Sequence, residues 1–193
     1  EQLSKSLNDL ETERKFLNTI GLIDIEEQEQ YMPPLKKSLE GDISSVFMLY
    51  IQDSNLKLEV YKDLASKISL LLMIINKRFL FQKFRIDRHH VFVLTSTVNK
   101  KSIPLGNLSS GEQHELVLFY QLLFNTASNS LVLIDEPEIS LHISWQKQFI
   151  DDIKEVIKLN SMDAVIATHS PDIIGNNWGL AIQLEGTNNT KND

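Results

Sequence analysis

The 193-residue chain contains no cysteine, only seven glycines and five prolines. Without cysteine there is no disulfide, no thiolate metal site and no cysteine nucleophile. That absence fits a reducing compartment, and a cytoplasmic location is expected. Long apolar runs are also missing. The longest, ISLLLMII from Ile68 to Ile75, is too short to span a bilayer and is followed by Asn76, Lys77 and Arg78, so no membrane partner is expected. No signal peptide is visible. The first residue is Glu1 rather than Met, which marks either a processed chain or a piece of a larger protein. Basic residues are the scarcer charge, and the net charge of −7 argues against broad, non-specific nucleic-acid binding by the whole chain. The scarcity is uneven. Between Lys77 and Lys101 seven bases (Lys77, Arg78, Lys83, Arg85, Arg88, Lys100, Lys101) stand against one acid, Asp87, which makes that stretch +6 and the remainder −13. Such a stretch either touches DNA backbone phosphates or forms the solvated face of a hairpin, and the second is the simpler reading.

What is present has globular values: 42% hydrophobic and 23% charged residues, enough for one domain with a core or a core plus a small appendage. Residues 1 to about 18 read as a helix, with Leu3, Leu10 and Leu17 seven apart and Leu7 between them. Two heptads are too few to establish a coiled coil, so an amphipathic helix is expected, ended by Gly21. The acidic DIEEQEQ and then Pro33-Pro34 interrupt any helix. Asp42 is a plausible N-cap for a second helical run. A third helix is expected from about Leu56 to Phe79, with Leu56, Val60, Leu64, Ile68, Leu71, Leu72, Ile75 and Phe79 at helical spacing and its second half apolar nearly all round. FLFQKFRI and VFVLTSTV, separated by DRHH, predict an antiparallel hairpin. LVLIDE and DAVIATHS, with a helix over 144 to about 159 between them, predict parallel strands covered on both faces and joined by a right-handed crossover. GLAIQL, Gly179 to Leu184, reads as a third such strand, and the polar tail EGTNNTKND as frayed. The fold class expected is α/β, with parallel strands and an antiparallel hairpin behind a helical segment.

Three short stretches carry chemistry. A buried strand delivers Asp135 and Glu136 to its carboxyl end, where α/β sheets bind ligands. Adjacent carboxylates there suit a cation held by Asp135, through water if it is Mg²⁺, and a proton-accepting task for Glu136. Taken alone, a strand that simply ends in solvent explains them equally well. His169 ends the following strand, and consecutive βαβ strands are commonly neighbours, which brings it near Glu136, although a lone histidine at a strand end is usually structural. Pro171 and Asp172 then start a helix or turn. In LSSGEQ, Ser109 and Glu112 form an S-x-x-E capping box that opens a long apolar helix. The box does not account for Ser110-Gly111, whose small size permits close approach of a phosphate to the free N–H groups of a helix start.

Together, LSSGEQ, LVLIDEPE about twenty residues on and ATHSPD about thirty beyond resemble the second half of an ABC-type ATPase head, in the order signature motif, Walker B motif and switch histidine. The wording DEPEISLH and THSPDII is similar to the soluble RecF, OLD and SMC-like branch, including ATPases of anti-phage systems such as Septu and some retrons, rather than to membrane transporters. Ser110 stands where the LSGGQ consensus has its first Gly, and Ile143 where the branch often has Pro. The resemblance covers roughly residues 80 to 185. It implies a division into a helical segment over 1–80, the returning part of an insertion, and an ATPase lobe over 81–193.

The resemblance implies ATP and Mg²⁺ as ligands, with Asp135 the Mg²⁺ carboxylate, Glu136 the catalytic base and His169 the switch histidine. It implies that Ser109, Ser110, Gly111 and Glu112 meet the γ-phosphate bound by a second subunit, and that Ser140, Leu141 and His142 fall in the D-loop that touches that subunit. Glu138 and Gln113 fit the motifs without an assigned chemistry. The partner implied is a second ATPase head, paired head to tail on ATP, with a nuclease or effector subunit as a further partner. The family's Walker A loop, G-x-x-x-x-G-K-[ST], is not present; no glycine precedes a lysine anywhere. The expectation is therefore a C-terminal fragment, inactive alone. An alternative is an ATP-gated clamp that controls a nuclease or toxin with little turnover. A nuclease within the chain has no support, since no acidic cluster beyond Asp135 and Glu136 stands out and too little chain follows Leu184 for a Toprim domain.

Overall fold

The computed structural model describes residues 2–24, 41–87 and 91–184. The Pro33-Pro34 interruption, most of DIEEQEQ, the tip of DRHH and the polar tail lie outside them. The chain divides into two units, Glu1–Thr126 and Ala127–Asp193, and each is described by itself.

In the first unit, α1 (Gln2–Thr19) forms where the heptad leucines predict it. Leu7, Leu10 and Leu17 lie in one apolar cluster with Ile51, Leu58, Ala65 and Ile68, and Leu3 packs against it, so the stripe is the inner face of an amphipathic helix. Arg14 reinforces the packing, donating to the Tyr50 hydroxyl and to Ser54 Oγ, each at 3.1 Å. Gly21 closes the segment at φ +76°, where a Cβ would stand 3.2 Å from Ile86 Cγ2, so both its backbone and its surroundings favour glycine.

The second helix, α2 (Gly41–Glu59), includes Asp42 within it. Asp42 is therefore a residue of the helix and not its N-cap. The single helix expected from Leu56 to Phe79 is two. A turn at Val60–Tyr61 separates α2 from α3 (Lys62–Arg78). Tyr61 N donates to Leu58 O at 3.0 Å, which tightens the chain. Burial passes to Leu58, Ala65, Ile68, Leu71, Ile74 and Ile75, leaving Leu56, Val60 and Leu64 exposed. Met73 is exposed as well, so the second half of α3 is buried on one face and not all round.

The hairpin forms as the β-rich runs predict. β1 (Gln82–Asp87) pairs antiparallel with β2 (Val91–Ser96), Phe84 opposite Leu94, and a short β3 (Ser102–Ile103) extends the sheet beyond β2. The Asn76 side chain bonds both the N–H and the C=O of Phe84, each at 2.8 Å, and ties the end of α3 to β1 as a strand would. α4 (Ser110–Tyr120) follows and runs into a π-helical turn, Gln121–Asn125.

In the second unit, β4 (Leu131–Asp135) and β5 (Asp163–Ala167) are parallel, with Leu133 opposite Val165 and Asp135 opposite Ala167. α5 (Ile143–Asn160) connects them, burying Phe149, Ile153 and Val156, and α6 (Pro171–Ile174) follows with Ile173 buried. Two expectations are corrected. Among the described residues the strands are not covered on both faces: Leu131, Leu133 and Val165 alternate with half-buried Val132, Ile134 and Ile166, and are themselves exposed. GLAIQL is not a strand. Trp178–Leu180 is a 3₁₀ turn, and residues 181–184 are irregular, with Ile182 and Leu184 exposed. An apolar run becomes a strand only against a hydrogen-bonding partner, and β4 and β5 pair with each other alone among the described residues. No helix among the described residues is long and apolar enough to cross a membrane.

Candidate active site

The parallel register fixes the site. Asp135 is the last residue of β4, beside Ala167 at the end of β5. The ladder runs one bond further, Glu136 N donating to Ala167 O at 2.8 Å. There the chain turns sharply, with Glu136 at φ +41° and ψ +56°. A left-handed conformation without glycine is strained, and such strain concentrates where a side chain must be held in place. Pro137–Ile139 then forms a 3₁₀ turn. From the neighbouring strand end, His169 Nε2 lies 3.4 Å from Glu136 Oε1. The His169 side chain is 91% exposed and that of Glu136 40% exposed, so both are open to a ligand. Asp135 is exposed as well. The structure thus brings Asp135, Glu136 and His169 to one end of one sheet.

Glu138 is the acid that sequence reasoning left without a task. Its Oε1 accepts from Thr168 Oγ1 at 2.8 Å, from His169 N at 2.7 Å and from Ser170 N at 3.1 Å. Burial pushes its carboxyl upward, but hydrogen bonds from its own amide, from the Thr168 hydroxyl and from the amides of His169 and Ser170 outweigh that and hold it below the ordinary glutamate value. Gln146, also unremarked in the sequence, accepts from Ser170 Oγ at 2.7 Å and donates to Leu141 O at 3.2 Å. A third acid three residues past Asp135 is the only trace of Glu138's role in the sequence.

Among the residues expected in the D-loop, Ser140 ends the 3₁₀ turn, Leu141 is buried in the core, and His142 is the N-cap of α5, its Nδ1 accepting from Ser144 N at 3.3 Å.

The Ser109–Glu112 turn belongs to the first unit. The capping box is complete: Glu112 N donates to Ser109 Oγ at 3.3 Å, and Ser109 N donates to Glu112 Oε2 at 2.8 Å. Gln113 holds the preceding loop, its Nε2 donating to Leu108 O at 2.9 Å and Gly106 O at 3.3 Å. Ser109 and Ser110 are exposed, and Gly111 is half-buried. The basic stretch loses one member here. Arg78 is buried, pairing with Glu115, so it is not available to phosphates, whereas Lys77, Lys83, Arg85, Lys100 and Lys101 are exposed.

Among known proteins, the chain is similar to protein ea59 of Escherichia phage lambda, 38% identical over 72 residues. That match covers 36% of this chain, and the chain spans only 13% of that relative's length. The AAA ATPase domain family matches residues 1–174, a span that includes Ser109–Gln113, Asp135, Glu136, Glu138 and His169. On that match, which takes in nearly the whole sequence, the chain belongs to the AAA ATPase domain family, a family of ATP-binding ATPases.

Proposed function

We propose that this chain is the C-terminal part of an ABC-type ATPase of the soluble RecF, OLD and SMC-like branch. In this reading two heads pair head to tail around ATP and hydrolyse it, in a DNA-directed or anti-phage role like that of the Septu and retron ATPases, and the phosphate-binding loop is supplied by polypeptide outside these 193 residues. The observation that carries the reading is Glu136, held in a left-handed turn at the end of a parallel strand with His169 at 3.4 Å. Glu136 orients a water and accepts its proton on the carboxylate. His169, exposed beside it, donates a hydrogen bond to the γ-phosphate and loses that partner on hydrolysis. Asp135 and Glu136 are hard oxygen donors at a strand end, which suits Mg²⁺, an ion commonly held by one or two carboxylates plus substrate phosphates. Asp135 would hold that ion through water, and the ion would supply charge neutralisation at the phosphates. Exposed Ser110 and half-buried Gly111, spared by the capping box, face the γ-phosphate bound by the other head.

The test is Glu136→Gln in the full-length protein. Loss of a general base typically costs about 10² to 10⁴ in rate, with ATP still bound and the dimer accumulating. Turnover close to wild type removes Glu136 from this role. A wild-type protein that binds ATP and pairs but shows no steady turnover is the ATP-gated clamp instead.

A further inference from the structure

We propose that Glu138 is the positioning residue of this site: a carboxylate clamp that ties the loop after β5 to the loop after β4 and so sets where His169 stands relative to Glu136. The inference rests on the proposed roles of Glu136 and His169.

The His169 ring is almost fully exposed, so packing does little to fix it. Its place is set by its backbone, and that backbone is held by Glu138. One oxygen, Oε1, receives the His169 amide, the Ser170 amide and the Thr168 hydroxyl, all within 3.1 Å. Thr168 Oγ1 also accepts from Ser170 N at 3.0 Å, which closes the loop on itself. Gln146 makes a second tie, taking the Ser170 hydroxyl on its oxygen and giving its amide to Leu141 O at 3.2 Å and Glu138 O at 3.4 Å. The three bonds to Glu138 span 30, 31 and 32 residues, and they join the two strand ends that carry Glu136 and His169. Three donors on one ionised oxygen is a charge-assisted arrangement, stronger and more directional than neutral bonds. Glu138 itself does not reach the reacting atoms. It acts through His169.

Supporting groups of this kind typically cost about 10- to 100-fold in activity when removed. In the full-length protein, Glu138→Ala is expected to lower kcat for ATP hydrolysis by that factor while KM for ATP moves less than about threefold, because misplacing a reacting group without removing it acts on the chemical step. Glu138→Gln, which keeps one acceptor oxygen in place, is expected to recover part of the loss. Hydrogen exchange followed by mass spectrometry supplies the readout apart from activity. The peptide carrying Thr168, His169 and Ser170 should exchange faster in Glu138→Ala, while peptides of β4 and α5 stay protected. If Glu138→Ala fails to fold, the near-isosteric Glu138→Gln keeps the test in force, with slower turnover and faster exchange confined to that loop. Unchanged kcat and unchanged loop exchange, beside an inactive Glu136→Gln, overturn the clamp and leave the base assignment standing. Surviving turnover in Glu136→Gln overturns the base assignment and the catalytic role of the clamp together.

Discussion

Glu115 on α4 is fully buried, and its carboxylate pairs with Arg78, the last residue of α3, whose guanidinium lies 5.3 Å from the centre of the Phe119 ring. The helix that begins at the Ser109–Glu112 turn is thereby pinned to the helical segment before the hairpin. Removing one partner of such a pair strands a buried charge and typically costs about 3–5 kcal/mol, whereas replacing both by apolar residues of similar volume is often near neutral. Glu115→Ala is therefore expected to lower the urea midpoint of the first unit sharply, and Arg78→Met with Glu115→Leu to restore most of it. A double replacement as unstable as the single one would show that the contact stabilises through its shape and not through paired charge.

Ser109 and Ser110 separate two kinds of effect at neighbouring positions. Ser109→Ala removes the cap and is expected to cost about 1 kcal/mol of stability. Ser110→Arg touches none of the capping bonds, and exposed substitutions usually stay within about 0.5 kcal/mol. Its bulk should nevertheless block closure of two heads on ATP. Light scattering and phosphate release in the full-length protein report the outcome. Mixing Ser110→Arg with a variant lacking the phosphate-binding lysine should restore one working site. Normal pairing and turnover in Ser110→Arg would return the turn to a helix cap.

The left-handed backbone at Glu136 sets up a trade between stability and activity. A non-glycine residue in that region costs roughly 1–2 kcal/mol, which glycine avoids. Glu136→Gly should abolish turnover while the melting temperature holds or rises. A clear fall in melting temperature would mean that the turn is relaxed with its native residue.

Glu138 gives the second unit a dependence on acid. Its carboxyl is held below the ordinary glutamate value, roughly 4.3, so the stabilisation is complete above that value and is lost as pH falls through the lower folded one. Thermal unfolding of wild type and Glu138→Gln should differ near neutrality, and the gap should narrow below about pH 4. A gap that is constant from pH 7 to pH 3 would mean that ionisation of Glu138 plays no part.

The 193-residue chain by itself has no G-x-x-x-x-G-K-[ST] loop. Calorimetry is expected to show ATP binding no tighter than about 1 mM, near −4 kcal/mol. Micromolar affinity would mean that phosphates are held by residues other than that loop.

Much of this was legible in the sequence because it is local or periodic. The capping box of Ser109 and Glu112 closes within one turn, the hairpin follows its β-rich runs, and Asp135 and Glu136 end an apolar run that can only be a strand end. What was illegible depends on distant partners. The break at Val60–Tyr61 cuts through unbroken helical spacing because Leu58 and Ala65 share an apolar cluster with α1, a demand that spacing within α2 and α3 does not register. Arg78 reads as one more solvated base until its buried acid is seen. Residues 179–184 are apolar enough for a strand but have no ladder to join among the described residues. Glu138 looked like a spare acid because its three donors come thirty residues later.

The open face of the β4–β5 pair governs how this chain behaves in a tube. Leu131, Leu133 and Val165 stand on one side, Leu133 at 74% exposure, on a two-stranded sheet whose outer edges are unpaired among the described residues. Contiguous apolar surface beside free strand edges drives self-association, and a net charge of −7 spread over 193 residues opposes it only weakly. These three side chains therefore add to the tendency of the isolated chain to self-associate. Leu133→Thr, a β-branched polar replacement on an exposed strand position, is the smallest change that should raise the concentration at which the chain stays monodisperse without touching the residues at the strand ends.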